Sequence, residues 1–313
     1  MRKVILDCDP GHDDMMAIIL ACSSPELSVQ GITTVAGNQE GEKTFQNALK
    51  ILNLIGEYNL PVARGFDKPI LRDLITAPHI HGNSGLEGAF LEQSDIVPMK
   101  EHAVDFIIHT LLESKDKVCL IPTGPLTNVA VSLIKEPEIK NKIERIILMG
   151  GAIHDSNIIP GAEFNIYVDP EAAQIVFRSG LPITQVVVDV TNRALFTFKD
   201  LDEMETWGGK VSKVVAPLLK YFAQTNLNVF GIQGAPLHDA LAVAYAIDPT
   251  ILITRPYYVE VETKGEFTRG QTVVDVYRIT GKEPNIQVAV DLDLEKYKRF
   301  IFEAVQKMDK KMG

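Results

Sequence analysis

From Arg2 to Val190 the chain repeats one pattern: a short strand-like run, a turn, then a helical run. The strand-like runs are RKVIL at Arg2–Leu6, then Val29–Val35, Val118–Pro122, Ile143–Met149 and Ile183–Val190. Helical periodicity falls between them, at Glu40–Gly56, His102–Ser114, Leu126–Lys135 and Pro170–Ser179. Such alternation implies βαβ units, because parallel neighbours need a crossover long enough to hold a helix. The expected fold class is α/β: an open, mainly parallel, Rossmann-like sheet with helices on both faces. Past Thr191 the order changes. Helical patterns at Asp200–Trp207, Val211–Asn226 and Leu237–Ala246 precede strand-like runs at Tyr257–Glu262, Thr272–Tyr277 and Gln287–Val290, with a closing helix at Leu294–Met308. No Pro- or Ser-rich linker, repeat or low-complexity segment interrupts the chain, so one domain, 1–313, is expected.

The charge balance narrows the partners. With 41 acidic against 31 basic residues the net charge is −10, which leaves no basic face for nucleic acid. Three cysteines, Cys8, Cys22 and Cys119, sit in apolar or strand contexts and read as buried free thiols of a reducing compartment. Asp7 interrupts the first apolar run before a signal-peptide core forms, and no stretch approaches membrane-spanning length. A cytoplasmic protein without membrane contact is expected.

In open α/β sheets, ligands bind beyond the carboxyl ends of the strands. Four such ends here are polar or glycine-rich: Asp7-Cys8-Asp9, Gly37-Asn38, Pro122-Thr123-Gly124 and Met149-Gly150-Gly151. The first belongs to DCDPGHDD, Asp7 to Asp14, where Pro10-Gly11 turns the chain into an amphipathic helix. Two of its four acids are explained as charges complementing a helix start. Four are not, because like charges this close repel unless a cation or a proton intervenes. All-oxygen ligands suit a hard divalent ion, Ca²⁺ or Mg²⁺, rather than zinc.

Other segments add to the site. PLHDALAVAY, Pro236 to Tyr245, puts His238 and Asp239 at a helix start, where Asp239 completes an oxygen cage and His238 faces substrate. In AEFNIYVDPEAA, Glu163 and Asn165 share a side-chain direction if the segment is extended, and an acceptor beside a donor–acceptor suits vicinal sugar hydroxyls. Asp169, Asp200 and Asp248 read as caps or turns. HIHGNSGLEG, His79 to Gly88, reads as a mobile loop offering His81 to substrate, with His79 left open. Ser84 lacks the strand and last glycine of a nucleophile elbow. His12, His102, His109 and His154 read as surface or core. Asp7-Cys8-Asp9 invites a phosphohydrolase reading, but Pro10-Gly11 breaks that motif and no phosphate-binding loop is present.

Taken together, DCDPGHDD, AGN (Ala36–Asn38), TGPLTN (Thr123–Asn128), MGG (Met149–Gly151), EFNIYVDPEAA and PLHD (Pro236–Asp239) resemble the inosine–uridine-preferring nucleoside hydrolases, over essentially the whole chain. The resemblance implies hydrolysis of the N-glycosidic bond of pyrimidine or inosine-type ribonucleosides to ribose and free base, in nucleoside salvage. It also implies one Ca²⁺ and a homodimer or homotetramer. By position it implies Asp9, Asp14, Asp239 and the Thr123 carbonyl as calcium ligands, with Asp9 also taking the proton of the calcium-bound water that attacks. Asp13, Asn38, Glu163, Asn165, Asn157 and the Met149 backbone would grip the ribose. His238 would assist the leaving base, with His81 as the second active-site histidine. The stretch Leu219–Gly234 is expected to line the base pocket, with Tyr221, Phe222, Asn226 and Phe230 as candidates. A catalytically silent nucleoside-binding protein and a magnesium-dependent phosphohydrolase are the alternatives. The presence of both Asp9 and His238 favours the enzyme.

Overall fold

In the computed structural model, which describes all 313 residues, the first strand of the chain is central rather than peripheral. The strands, in chain order, are β1 (Arg2–Cys8), β2 (Leu27–Thr34), β3 (Val62–Arg64), β4 (Val118–Pro122), β5 (Ile143–Met149), β6 (Ile183–Val186), β7 (Leu195–Phe196), β8 (Ala235–Pro236), β9 (Leu252–Tyr257), β10 (Val259–Val261), β11 (Thr272–Val274) and β12 (Ile286–Leu292). Eight of them form one sheet in the order β3-β2-β1-β4-β5-β6-β12-β9. Every neighbouring pair is parallel except β12 with β9. The chain winds outward through β2 and β3, then returns to β4 on the other side of β1. That reversal opens a crevice at the carboxyl ends of β1 and β4, where doubly wound sheets place their ligands.

Burial explains the composition of the strands. All five residues of β4 are buried, as are the last five of β1, so these runs are apolar on both faces instead of alternating. The helix His12–Ser23 departs from the amphipathic expectation, since eleven of its twelve residues are buried. It is packed against His238–Ile247 and Leu294–Met312 on one side of the sheet. Ala103–Glu113, Thr127–Lys135 and Pro170–Phe177 form a second layer. One core of 87 buried apolar residues runs from Val4 to Met308.

Three sequence expectations change. The run Ile183–Val190 stops as a strand at Val186, where its pairing with Met149 ends. Beyond it the Val190 and Thr191 N–H groups turn back to the Val187 carbonyl, which makes the short helix Val188–Thr191. The three late strand-like runs do not group together, because β12 enters the main sheet while β10 and β11 form a separate antiparallel pair. The segment around His81 starts as a helix, Pro78–His81, and its backbone is held by Gln39 Nε2 on the Gly82 carbonyl (2.7 Å) and Asn47 Nδ2 on that of Ser84 (2.9 Å). Cys8 and Cys119 are buried free thiols, and Cys22 is only partly buried. No helix is long and apolar enough to cross a membrane.

Candidate active site

The crevice deepens into a cavity of about 460 Å³. Its walls include Asp13, Asn38, His81, Thr123, Met149, Asn157, Glu163, Asn165, His238 and Asp239. Residues from seven sequence segments therefore converge on one space. Asp9 and Asp14, both fully buried, lie beneath it.

The floor is acidic and unpaired. Asp9 directly follows β1, with Oδ2 accepting the Asn38 N–H at 2.7 Å while Oδ1 is buried without a hydrogen bond. Its carboxylate is wedged between two backbones: a Cβ on Gly37 would lie 2.1 Å from Oδ2, and one on Gly124 would lie 2.7 Å from Oδ1. Those glycines make the close approach possible. Asp14 sits in the first turn of His12–Ser23, accepting from Thr123 Oγ1 (2.8 Å), the Gly11 N–H (3.1 Å) and Asn38 Nδ2 (3.2 Å). Asp13 Oδ1 is a second buried carboxylate oxygen without a partner.

Oxygens of Asp13, Asp14 and Asp239 lie within 4.8 Å of one another. No lysine or arginine pairs with Asp9, Asp13, Asp14 or Asp239. Burial, reinforced by mutual repulsion, pushes the Asp9 and Asp239 carboxyls well above the usual range and Asp13 up to about 7. Without a cation, burial and mutual repulsion favour protonated carboxyls in this cluster. Two orphaned oxygens and a triad of oxygens at ligand spacing fit a hard divalent metal. This triad contains Asp13 where the resemblance implies Asp9. The Thr123 carbonyl, in turn, accepts from Asn165 Nδ2 at 2.7 Å.

The side wall is polar and preorganised. Glu163 is the N-cap of the helix Phe164–Val168, with Asn165 in its first turn, so the segment is not extended as the sequence reading supposed. The two still share the cavity, because the cap turns Glu163 inward beside the helix start. Glu163 Oε2 accepts from the Gly151 N–H (2.9 Å) and Oε1 from that of Asn165 (2.9 Å). Burial nevertheless raises its carboxyl to about 7. Asn165 Nδ2 also lies 3.3 Å from the Met149 carbonyl, and Asn157 Oδ1 accepts the Phe164 N–H at 2.8 Å.

The far wall is aromatic and histidine-bearing. Phe222, Asn226 and Phe230, from the helix Ser212–Phe230, line the cavity, whereas Tyr221 does not and instead stacks on His12. His238 Nδ1 is 2.6 Å from Thr191 Oγ1, and burial lowers its pKa to about 4. His79 and His154 stand exposed at the rim. His102 caps a helix by accepting the Val104 N–H, and His109 pairs with Glu101 at the surface. Asp169, Asp200 and Asp248 cap or brace helix starts.

Two supporting residues escaped the sequence reading. Asp189 accepts the N–H groups of Ile153 (2.7 Å), His154 (2.8 Å) and Asp155 (3.2 Å), fixing the rim segment before Asn157. Thr191 orients His238. Both lie on the short helix that the apolar run Ile183–Val190 conceals, and no sequence signal marks it.

Comparison with known proteins agrees with this geometry. Residues 4–299 match the family model described as inosine-uridine preferring nucleoside hydrolase. The chain is 47% identical over 291 residues to a pyrimidine-specific ribonucleoside hydrolase RihA of Escherichia fergusonii, covering 93% of this chain and 94% of that one. Its structure is similar to a purine-preferring ribonucleoside hydrolase from Gardnerella vaginalis, at 36% identity and TM-score 0.93 over 99% of both chains. A plant nucleoside hydrolase superposes with TM-score 0.91 at 32% identity, over 97% of this chain and 98% of that one. The chain belongs to the inosine-uridine preferring nucleoside hydrolase family.

Proposed function

We propose that this protein, a single domain over residues 1–313, hydrolyses pyrimidine ribonucleosides to ribose and free base with the help of one calcium ion. The carrying observation is a cavity floored by buried, unpaired carboxylates, walled by hydroxyl-binding groups and closed by two histidines beside aromatic rings. The pyrimidine preference rests on the 47% identity to a relative that carries that name, against 36% to a purine-preferring one.

Breaking a nucleoside bond builds positive charge on the anomeric carbon, so an acidic floor below the ribose stabilises the transition state. Asp9, Asp14, Asp239 and the Thr123 carbonyl would hold the calcium. When bound, it neutralises this floor and lowers the pKa of water in its shell. Asp9 Oδ1, without any other partner, accepts the proton of the attacking water. Asp13, Asn38, Glu163, Asn165, Asn157 and the Met149 backbone grip the ribose hydroxyls, so that binding energy there is used to distort the reacting carbon. Phe222 and Phe230 provide apolar surface for the base, with Asn226 available for a hydrogen bond. Thr191 Oγ1 lies 2.6 Å from His238 Nδ1, and with the hydroxyl as donor in that contact Nε2–H would hydrogen-bond the departing base.

Calcium removal is expected to abolish activity and to change how stability depends on pH. In the metal-free protein burial and the neighbouring Asp14 hold the Asp13 proton up to about 7, while the unfolded chain releases it near the ordinary carboxyl value of 3.8. Unfolding therefore releases protons in this window, and stability falls as pH rises from about 4 to 7. Calcium should flatten that slope and raise Tm at pH 7. Full activity after exhaustive chelation, with no calcium by elemental analysis and an unchanged Tm, would remove the metal from the account.

The leaving-group role of His238 is tested by kcat on uridine, inosine and p-nitrophenyl riboside. His238→Ala is expected to lower kcat on the nucleosides by ~10²-fold or more, the usual worth of a positioned acid. The p-nitrophenyl riboside should be largely spared, because its leaving group needs little assistance. Equal losses on all three would mean that His238 positions ribose or metal instead. The same assay across uridine, cytidine, inosine and adenosine reads the base preference, and higher kcat/KM for the purines would contradict the pyrimidine assignment.

A further inference from the structure

Tyr297 lies on the closing helix Leu294–Met312 and is fully buried, yet it lines no part of the cavity. Its hydroxyl donates to the Leu237 carbonyl at 2.7 Å. Leu237 directly precedes His238 and Asp239 and is the N-cap of the helix His238–Ile247. We propose that Tyr297 is a positioning residue, whose hydroxyl sets the peptide between Leu237 and His238 and so the aim of the His238 ring at the departing base. This rests on the reading of the cavity as a nucleoside site in which His238 faces the base.

Leu237 differs from the other helix starts of the chain. An N-cap carbonyl ordinarily accepts the first bond of its helix, from the N–H four residues on. It does so at every other α-helix here, for example from Met15 to Gly11 (3.1 Å) and from Tyr297 itself to Asp293 (3.0 Å). At Leu237 the Leu241 N–H is outside hydrogen-bonding geometry, and the carbonyl is taken by the Tyr297 hydroxyl instead. A carbonyl drawn off its helix turns the whole planar peptide with it, and the N–H of that peptide belongs to His238. The Tyr297 hydroxyl therefore sets the backbone from which the His238 side chain leaves.

The rest of the turn is tied down around this bond. The Leu237 N–H donates to the Ala194 carbonyl (3.1 Å), and β8, just before it, pairs with β7 through Ala235 with Phe196 and Pro236 with Leu195. The Tyr297 ring packs edge-on against Phe196, with centroids 5.9 Å apart and planes at 76°. Three residues before Ala194, Thr191 Oγ1 meets His238 Nδ1 at 2.6 Å. The stretch from Thr191 to Phe196 thus holds the His238 ring and the Leu237 N–H, and it carries the surface on which the Tyr297 ring rests. The hydroxyl completes the frame by holding the Leu237 carbonyl. Without it that carbonyl falls back on the ordinary helical partner, the Leu241 N–H, and the turning peptide carries His238 off Thr191.

The test is Tyr297→Phe, which removes the hydroxyl and keeps the ring on Phe196. NMR couplings across hydrogen bonds, from the amide ¹⁵N of one residue to the carbonyl ¹³C of another, read the turn in the metal-free protein without turnover. The expected result is no Leu241–Leu237 coupling in the unsubstituted protein and its appearance in Tyr297→Phe. That coupling in the unsubstituted protein overturns the proposal by itself, so the test survives a variant that fails to fold. The kcat for uridine should fall about 10-fold, the worth of one good hydrogen bond, with KM and the p-nitrophenyl riboside rate nearly unchanged. Added to His238→Ala, the same substitution should cost nothing further, because the ring it aims is gone. Equal losses on uridine and p-nitrophenyl riboside, or losses that multiply in the double variant, would make Tyr297 a structural residue and overturn the proposal. Uridine left intact by the unsubstituted protein would refute the hydrolase reading, whereas the couplings still decide whether Tyr297 sets this turn.

Discussion

Asp9→Asn is expected to remove hydrolysis of every ribonucleoside, with kcat lower by at least ~10²–10⁴-fold from loss of the proton acceptor alone. The amide is nearly isosteric, so the wedge between Gly37 and Gly124 is kept. Removing one of several buried acids also relieves repulsion in the floor, so the variant should fold. The loss must be independent of the leaving group, which separates Asp9 from His238. Its measurement is kcat on uridine, inosine and p-nitrophenyl riboside beside the circular dichroism spectrum. Activity within tenfold of the unsubstituted protein, on a folded variant, would reduce Asp9 to a structural acid that caps Asn38.

A comparable loss is expected from the substrate side. If Asp13 and Asn165 bind the 2′- and 3′-hydroxyls, 2′-deoxyuridine leaves buried polar groups without partners. Asp13 Oδ1 already lacks one in the free site. Sites built to bond a hydroxyl reject the analogue without it by about 10⁴-fold in kcat/KM. The ratio of kcat/KM for uridine over 2′-deoxyuridine checks this, and a value near one would remove the ribose grip from Asp13 and Asn165.

Much of this site was legible because parallel sheets place chemistry at strand ends, where sequence motifs are contiguous. DCDPGHDD, the turns at Asn38 and Thr123, and Met149 each lie at the carboxyl end of a strand that an apolar run marks, and the cavity gathers all four. What the sequence hid lies where local pattern and tertiary structure disagree. Val187, Val188 and Val190 are β-branched and apolar, yet the segment turns helical where the strand pairing ends at Met149, and Asp189 and Thr191 turn with it. Glu163 and Asn165 were paired on the assumption of an extended chain, and a helix start brings them together instead. No sequence motif ties His12 to substrate, so it reads as surface or core. Only the three-dimensional stack on Phe222 and Tyr221 relates it to His81.

In the proposed mechanism water displaces the base directly at the anomeric carbon, and no carboxylate of the acidic floor forms a covalent bond to the sugar. ¹H NMR of uridine with the calcium-loaded protein, sampled before mutarotation, tests it. Direct displacement on a β-nucleoside predicts free uracil in step with α-ribose as the first anomer. First appearance of β-ribose would show a covalent ribosyl intermediate on a carboxylate, and uridine that binds without being cleaved would show a silent binding protein; either result contradicts the account.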